Sequence, residues 1–161
     1  MNARDPAPHS QNTDSADLPD AALRFQHCLQ GQKAAYLAHP EPSCAERRAD
    51  LQALARMLKE NQERLVEAIH QDYGNRSRFE TLFAEFFVVL ESIQHTSRHL
   101  KSWMKPERRR IDRLMYPGAT NRVIPQPLGV VGVIVPWNFP LNLSFCPLAA
   151  ILAASEHLPG S

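Results

Sequence analysis

The residues best placed to do chemistry lie in one short run, Pro136-Trp137-Asn138-Phe139-Pro140. Asn138 stands between two prolines, which restrict the loop and lower the entropy lost on ordering it. A carboxamide carries two N–H donors, and donors fixed in a water-poor site stabilise developing negative charge. From spacing alone a second use stays open, because asparagine also caps helices and tightens turns. The other nucleophiles and ligands are scattered. The three cysteines, at 28, 44 and 146, form neither a disulfide framework nor a Cys-x-x-Cys pair, and each reads as a small buried thiol. Glu91, His95 and His99 recur at i, i+4 and i+8, so one helix face could offer three metal ligands, or simply be a solvated polar face; the reading adopted is no metal site.

The elements that must carry Asn138 follow from the pattern on either side of it. Residues 129–135, GVVGVIV, are β-branched and apolar except at the glycines, which predicts a short strand covered on both faces. Ligands of open α/β sheets bind beyond the carboxyl ends of such strands, and Asn138 falls there. Residues 141–154 read as an apolar helix interrupted near Pro147. Upstream, residues 105–128 read as a connector. Its basic run, Arg108 to Arg113, is a solvated helix end or loop, and residues 122–127 are extended, their prolines fitting an edge strand or a connector.

Three helices are predicted over residues 18–104. The first runs from about Leu18 to His39, capped by Asp17, with apolar contacts from Leu23, Cys28, Leu29, Tyr36 and Leu37. The second opens on a capping box, Ser43 with Glu46, breaks near Asn61 and stops at Gly74. The third starts from a second capping box, Ser77 with Glu80. It carries Phe79, Leu82, Phe83, Phe86, Leu90, Ile93, Leu100 and Trp103 as a core stripe. Residues 1–16 are polar and lack the apolar stretch of a secretory signal, so they read as a disordered tail; a cytoplasmic setting fits this and the free thiols.

The whole composition excludes some functions. With 18 basic and 17 acidic residues among 161, the formal charge is +1, which argues against nucleic acid as a partner. The chain is 43% hydrophobic, too apolar for wholesale disorder, yet has no apolar run long enough to span a bilayer. Six glycines leave no Gly-x-Gly-x-x-Gly or phosphate loop.

The run from Pro127 to Leu141, PLGVVGVIVPWNFPL, resembles the segment by which aldehyde dehydrogenases enter their cofactor domain. Arg47 to Tyr73, ending in Gln71-Asp72-Tyr73-Gly74, resembles their N-terminal helices, and Phe79 to Met104 their next long helix. Asn142 to Ala149 is closest to the coniferyl-aldehyde branch. The resemblance covers residues 20–154 and implies an α/β fold. A helical part, residues 18–104, and the connector would be followed by the first strand and helix of an incomplete Rossmann-like cofactor domain, residues 129–154. Residues 17–154 then form the N-terminal part of the family domain, and residues 155–161 a divergent tail.

The resemblance also implies a reaction. A cysteine thiolate adds to the aldehyde carbon, hydride passes to NAD or NADP, and a glutamate-assisted water releases the carboxylic acid. Asn138 would stabilise the oxyanion. Ile134, Val135, Pro136 and Trp137 would lie beside the cofactor. Residues 123–126 would join the small sheet through which family members form homo-oligomers. The nucleophilic cysteine and the glutamate are expected beyond residue 161, so a truncated chain, inactive by itself and without tight cofactor binding, is expected. Two other classes stay open: a helical module, residues 18–104, that pairs with an intact homologue, and an acyl-transferring reductase of similar fold.

Overall fold

The computed structural model describes residues 17–154. The expected tails, 1–16 and 155–161, lie outside the described residues, as does the side chain of Asp17. Six α-helices and two short strands follow in the order α1 (Asp17–Ala38), α2 (Cys44–Glu60), α3 (Gln62–Tyr73), α4 (Arg78–Thr81), α5 (Val88–Trp103), β1 (Glu107–Arg109), β2 (Asn121–Val123) and α6 (Pro140–Ala154). A π-helical turn, Leu82–Phe87, joins α4 to α5.

The local signals at α2 and α3 act as anticipated. Ser43 Oγ accepts from the Glu46 amide at 3.2 Å, and Glu46 Oε2 accepts from the Ser43 amide at 2.7 Å. These two bonds satisfy amides that the first turn leaves free. They also hold the Glu46 carboxyl below the ordinary carboxylate range. Asn61 separates α2 from α3, its side-chain amide donating to the Met57 carbonyl at 2.8 Å. Gly74 ends α3 at φ 79°, a left-handed conformation that costs glycine least.

The core lies where α2, α5 and α6 meet. Leu51, Leu58, Val66, Val89, Leu100 and Ala149 are its most enclosed apolar side chains, with Ile93 of α5 and Ile69 of α3 beside them. Arg47 ties the two ends of this unit together. Its Nε donates to the Pro42 carbonyl at 3.0 Å and its Nη1 to the Ala153 carbonyl at 2.9 Å. Burial lowers the Arg47 guanidinium from its ordinary pKa, which makes those two carbonyls its essential partners.

Several expectations are corrected. The aromatic stripe is split: Phe86 is buried, whereas Phe79, Phe83 and Phe87 are 74%, 60% and 56% exposed. Those three stack as a ladder along the outer face, successive ring centroids 5.9 Å apart. The buried line instead runs through Thr81, Glu85, Phe86, Val89, Ile93, Thr96 and Leu100. Ser77 makes no side-chain cap, and Glu80 pairs with Arg76 at 3.5 Å instead. On α1, Leu23, Phe25, Leu29 and Leu37 are exposed, and so is Cys28. Tyr36 reaches the body, donating to the Pro127 carbonyl at 3.4 Å with its ring 3.7 Å from where a Cβ on Gly129 would stand.

The strand expected over 129–135 is not formed. Residues 124–136 have no helical or strand assignment. The reason is pairing: a parallel strand needs a neighbour to bond with, and among the described residues none lies alongside. The edge strand is displaced towards the N-terminus. Asn121–Val123 pairs antiparallel with Glu107–Arg109, Arg108 opposite Arg122, so part of the basic run is a strand rather than a helix end. This two-stranded ribbon is exposed throughout. α6 continues through Pro147, because Leu141, Ala149, Leu152 and Ala153 bury against the core on either side of the proline.

Candidate functional site

Asn138 sits in the loop between the extended segment and α6, against the corner where α3 turns into α4. It is exposed, and its carboxamide makes no hydrogen bond to a described residue. It therefore does not cap α6, which was the alternative use for it. The backbone beside it is held firmly. Arg76 Nη1 donates to the Asn138 carbonyl at 2.7 Å. The Tyr73 hydroxyl donates to the Trp137 carbonyl. The Arg76 guanidinium lies against two rings, 4.6 Å from the Phe139 centroid and 5.1 Å from that of Tyr73.

The helix-capping role falls to a residue that the sequence reading did not single out. Glu85 is fully buried, at 0% exposure. Its Oε2 accepts from the Leu141 amide at 2.7 Å and the Asn142 amide at 3.2 Å, so a carboxylate meets the positive end of α6. Its Oε1 lies 3.4 Å from Arg76 Nη2. That approach is a charge contact without hydrogen-bond geometry, since Oε1, Nη2 and the Arg76 Nε have no hydrogen-bond partner among the described residues. Asn142 adds a second tie, its Nδ2 donating to the Ala84 carbonyl at 3.1 Å. The π-helical turn places Glu85 and Phe86 on the buried side together. A polar residue in a core line leaves no periodic signature, which is why Glu85 escaped notice. Spacing from Arg76 offered no signal either.

The remaining expected site residues are arranged as follows. Ile134 is fully exposed and Trp137 is 85% exposed, with Val135 half-buried and Pro136 exposed between them. Together they present an open apolar edge that leads to Asn138. An open groove of about 470 Å³, lined by Tyr73, Asn75, Arg76, Ser77, Glu80, Asn138 and Phe139, adjoins that edge. A second cavity of about 430 Å³ lies at the far end of α6, beside Arg47, Leu100 and Ala153.

Cys146 belongs to the packing of α6. Burial pushes its thiol above the ordinary value, and its Sγ donates to Asn142 Oδ1 at 3.2 Å. A thiol so held is a poor source of thiolate. His95 and His99 stack with centroids 4.2 Å apart on the solvent face of α5. Among the described residues no group of three or more His, Cys, Asp or Glu side chains is placed to hold a metal ion. No described helix is long and apolar enough to cross a membrane.

This geometry meets its match among known proteins. A sequence model of the aldehyde dehydrogenase family matches residues 3–157. The chain belongs to the aldehyde dehydrogenase family. Among its relatives is a probable coniferyl aldehyde dehydrogenase of Pseudomonas aeruginosa, 47% identical over 127 residues, which are 79% of this chain and 26% of that protein. A coniferyl aldehyde dehydrogenase of a Pseudomonas species is 41% identical over 139 residues, covering 86% of this chain and 28% of the relative. The chain thus spans about a quarter of the length of these curated relatives. A solved structure of the substrate-bound state of Staphylococcus aureus AldH shares the fold. It has a TM-score of 0.75 and 24% identity, over 81% of this chain and 28% of that one. The aldehyde dehydrogenase likeness therefore includes the helices, the extended segment and the loop that carries Asn138.

Proposed function

We propose that this chain supplies the oxyanion-binding loop and one wall of the cofactor cleft of an NAD(P)-dependent aldehyde dehydrogenase acting on aromatic, coniferyl-type aldehydes. The observation that carries the reading is the state of Asn138: its backbone is pinned by Arg76, while its carboxamide is exposed and uncommitted. A donor held in place before charge develops costs no reorganisation when an aldehyde oxygen becomes an alkoxide. When bound, the nicotinamide cofactor supplies an acceptor for hydride. The chain's residues fit such a group on one side. Ile134, Val135, Pro136 and Trp137 offer an apolar edge of the kind a planar ring packs against, and the full exposure of Ile134 leaves that edge open. Asn138 would orient the substrate oxygen beside it. The substrate class rests on the coniferyl aldehyde dehydrogenases among the relatives.

In this reading none of the chain's cysteines serves as nucleophile, and the chain alone is inactive and binds cofactor weakly. The exposure of Val131, Val133 and Ile134 also favours a second reading, in which the chain pairs with a full-length family member as a non-enzymatic fragment. The two part in a direct test. Residues 17–154 are exchanged for the matching segment of the Pseudomonas aeruginosa relative, and cofactor reduction with coniferyl aldehyde is followed. The exchange should support turnover, and Asn138→Ala within it should lower kcat by about 10²–10³ with little change in the KM for cofactor. A folded exchange protein whose kcat ignores Asn138→Ala would refute the proposal.

A further inference from the structure

We infer that Arg76 is a positioning residue for Asn138, with Glu85 as the buried partner that holds Arg76 in place. This inference rests on the oxyanion reading for its functional meaning, though not for its geometry.

Four contacts converge on residues 137–142, and none of them uses the Asn138 side chain. Tyr73 holds the Trp137 carbonyl, Arg76 the Asn138 carbonyl at 2.7 Å, and Glu85 the Leu141 and Asn142 amides at 2.7 and 3.2 Å. Fixing the carbonyl of a residue fixes the peptide plane that follows it, and so limits that residue's ψ. With the preceding carbonyl held as well, both peptide planes flanking Asn138 are constrained. The direction of its Cα–Cβ bond is set by other residues, and its N–H donors stay free.

Arg76 can do this because it has no freedom of its own. Its side chain is 6% exposed, lies against the Tyr73 and Phe139 rings, and has Glu85 Oε1 at 3.4 Å. A guanidinium is a planar fork that reaches a carboxylate and a carbonyl from different nitrogens. Here Nη2 faces the buried Glu85 and the half-exposed Glu80 while Nη1 serves Asn138. A lysine in its place would keep a charge for Glu85 but present one point where two are needed.

The test uses the full 161-residue chain. Backbone ¹⁵N relaxation gives the order parameter at Asn138, and amide exchange gives the protection of Leu141 and Asn142. In the parent chain Asn138 should be as rigid as the helices, with an order parameter of about 0.85. In Arg76→Lys it should fall below about 0.6 while Leu141 and Asn142 keep their protection, because Glu85 still caps α6. An unchanged order parameter in Arg76→Lys would overturn the inference. So would a fall that comes only together with loss of the Leu141 and Asn142 protection, since that marks a merely structural residue.

If Arg76→Lys does not fold, Arg76→Gln removes the guanidinium that serves Asn138 and leaves Glu85 in place as the cap of α6. A mobile Asn138 with Leu141 and Asn142 still protected in that folded variant supports the inference, and a rigid one overturns it. These measurements read the loop and not turnover. A silent Asn138→Ala would therefore defeat the oxyanion reading and leave the clamp standing, whereas a rigid loop in Arg76→Lys would do the reverse.

Discussion

Replacing Glu85 by alanine removes three interactions from a site with no exposure to water. Two are the amides of Leu141 and Asn142, which lose their acceptor at 2.7 and 3.2 Å. Losing a cap of this kind costs about 1 kcal/mol. The third is the charge contact to Arg76 at 3.4 Å. Removing one partner of a buried ion pair costs roughly 3–5 kcal/mol, and because Arg76 keeps the half-exposed Glu80 at 3.5 Å the lower end applies. With the cap the loss is roughly 4 kcal/mol, close to the whole stability of a marginal domain. For a chain of this size each kcal/mol is worth about 2–4 °C, so Tm should drop by roughly 8–16 °C. The assay is thermal unfolding followed by far-UV circular dichroism, with urea midpoints as a second measure. The double variant Arg76→Met with Glu85→Leu separates the terms. There no buried charge loses its partner, and what is missing is the cap and the Arg76 bond to the Asn138 carbonyl, so the double variant should be more stable than Glu85→Ala by about 2 kcal/mol. A single variant that loses less than about 1.5 kcal/mol, or a double variant no better than the single, would show that the pair does not hold α6 as argued.

Two further outcomes are expected. Ser43→Ala should lower stability by about 1 kcal/mol and fray α2 at its start, seen as faster exchange of the Glu46 amide. Because the folded state depresses the Glu46 carboxyl, its contribution is present above the unfolded pKa and is lost as pH falls through the folded one; Ser43→Ala should therefore matter less in acid, which unfolding measured at both pH values would reveal. Iodoacetamide at mildly alkaline pH should label the exposed Cys28 at least about tenfold faster than Cys146, whose thiol is pushed up by burial and engaged by Asn142, as peptide mass spectrometry would report.

What could be read from the residues divides along physical lines. The Ser43–Glu46 box, the Asn61 break and the Gly74 stop are local devices, decided within one turn of chain, and they appear in the structure as the sequence implied. The loop carrying Asn138 was legible because two prolines bracket it and an apolar helix follows. Long-range choices were not. Phe79, Phe83 and Phe87 have core-like spacing, yet the buried line passes through Thr81, Glu85 and Thr96. Glu85 can afford that place only because two amides of α6 and one guanidinium meet it, partners that lie 9 to 57 positions away. Residues 129–135 have the composition of a strand, but pairing is a property of neighbours, and composition does not supply them. Arg76 was the least legible of all, because its roles are set by Tyr73, Glu85 and Asn138 converging from separate stretches of chain.

The bond from Arg47 to the Ala153 carbonyl spans 106 positions of sequence. During synthesis the guanidinium leaves the ribosome long before its acceptor has been translated, and the Glu85 carboxylate likewise waits for the amides of Leu141 and Asn142. A nascent chain that has extruded α2 to α5 already holds the Arg76–Glu85 contact and the Arg47 bond to the Pro42 carbonyl, yet Arg47 Nη1 and Glu85 Oε2 still lack the partners that α6 brings. Docking of α6 is then the event that locks the assembly, and a single late segment decides when the early ones become native.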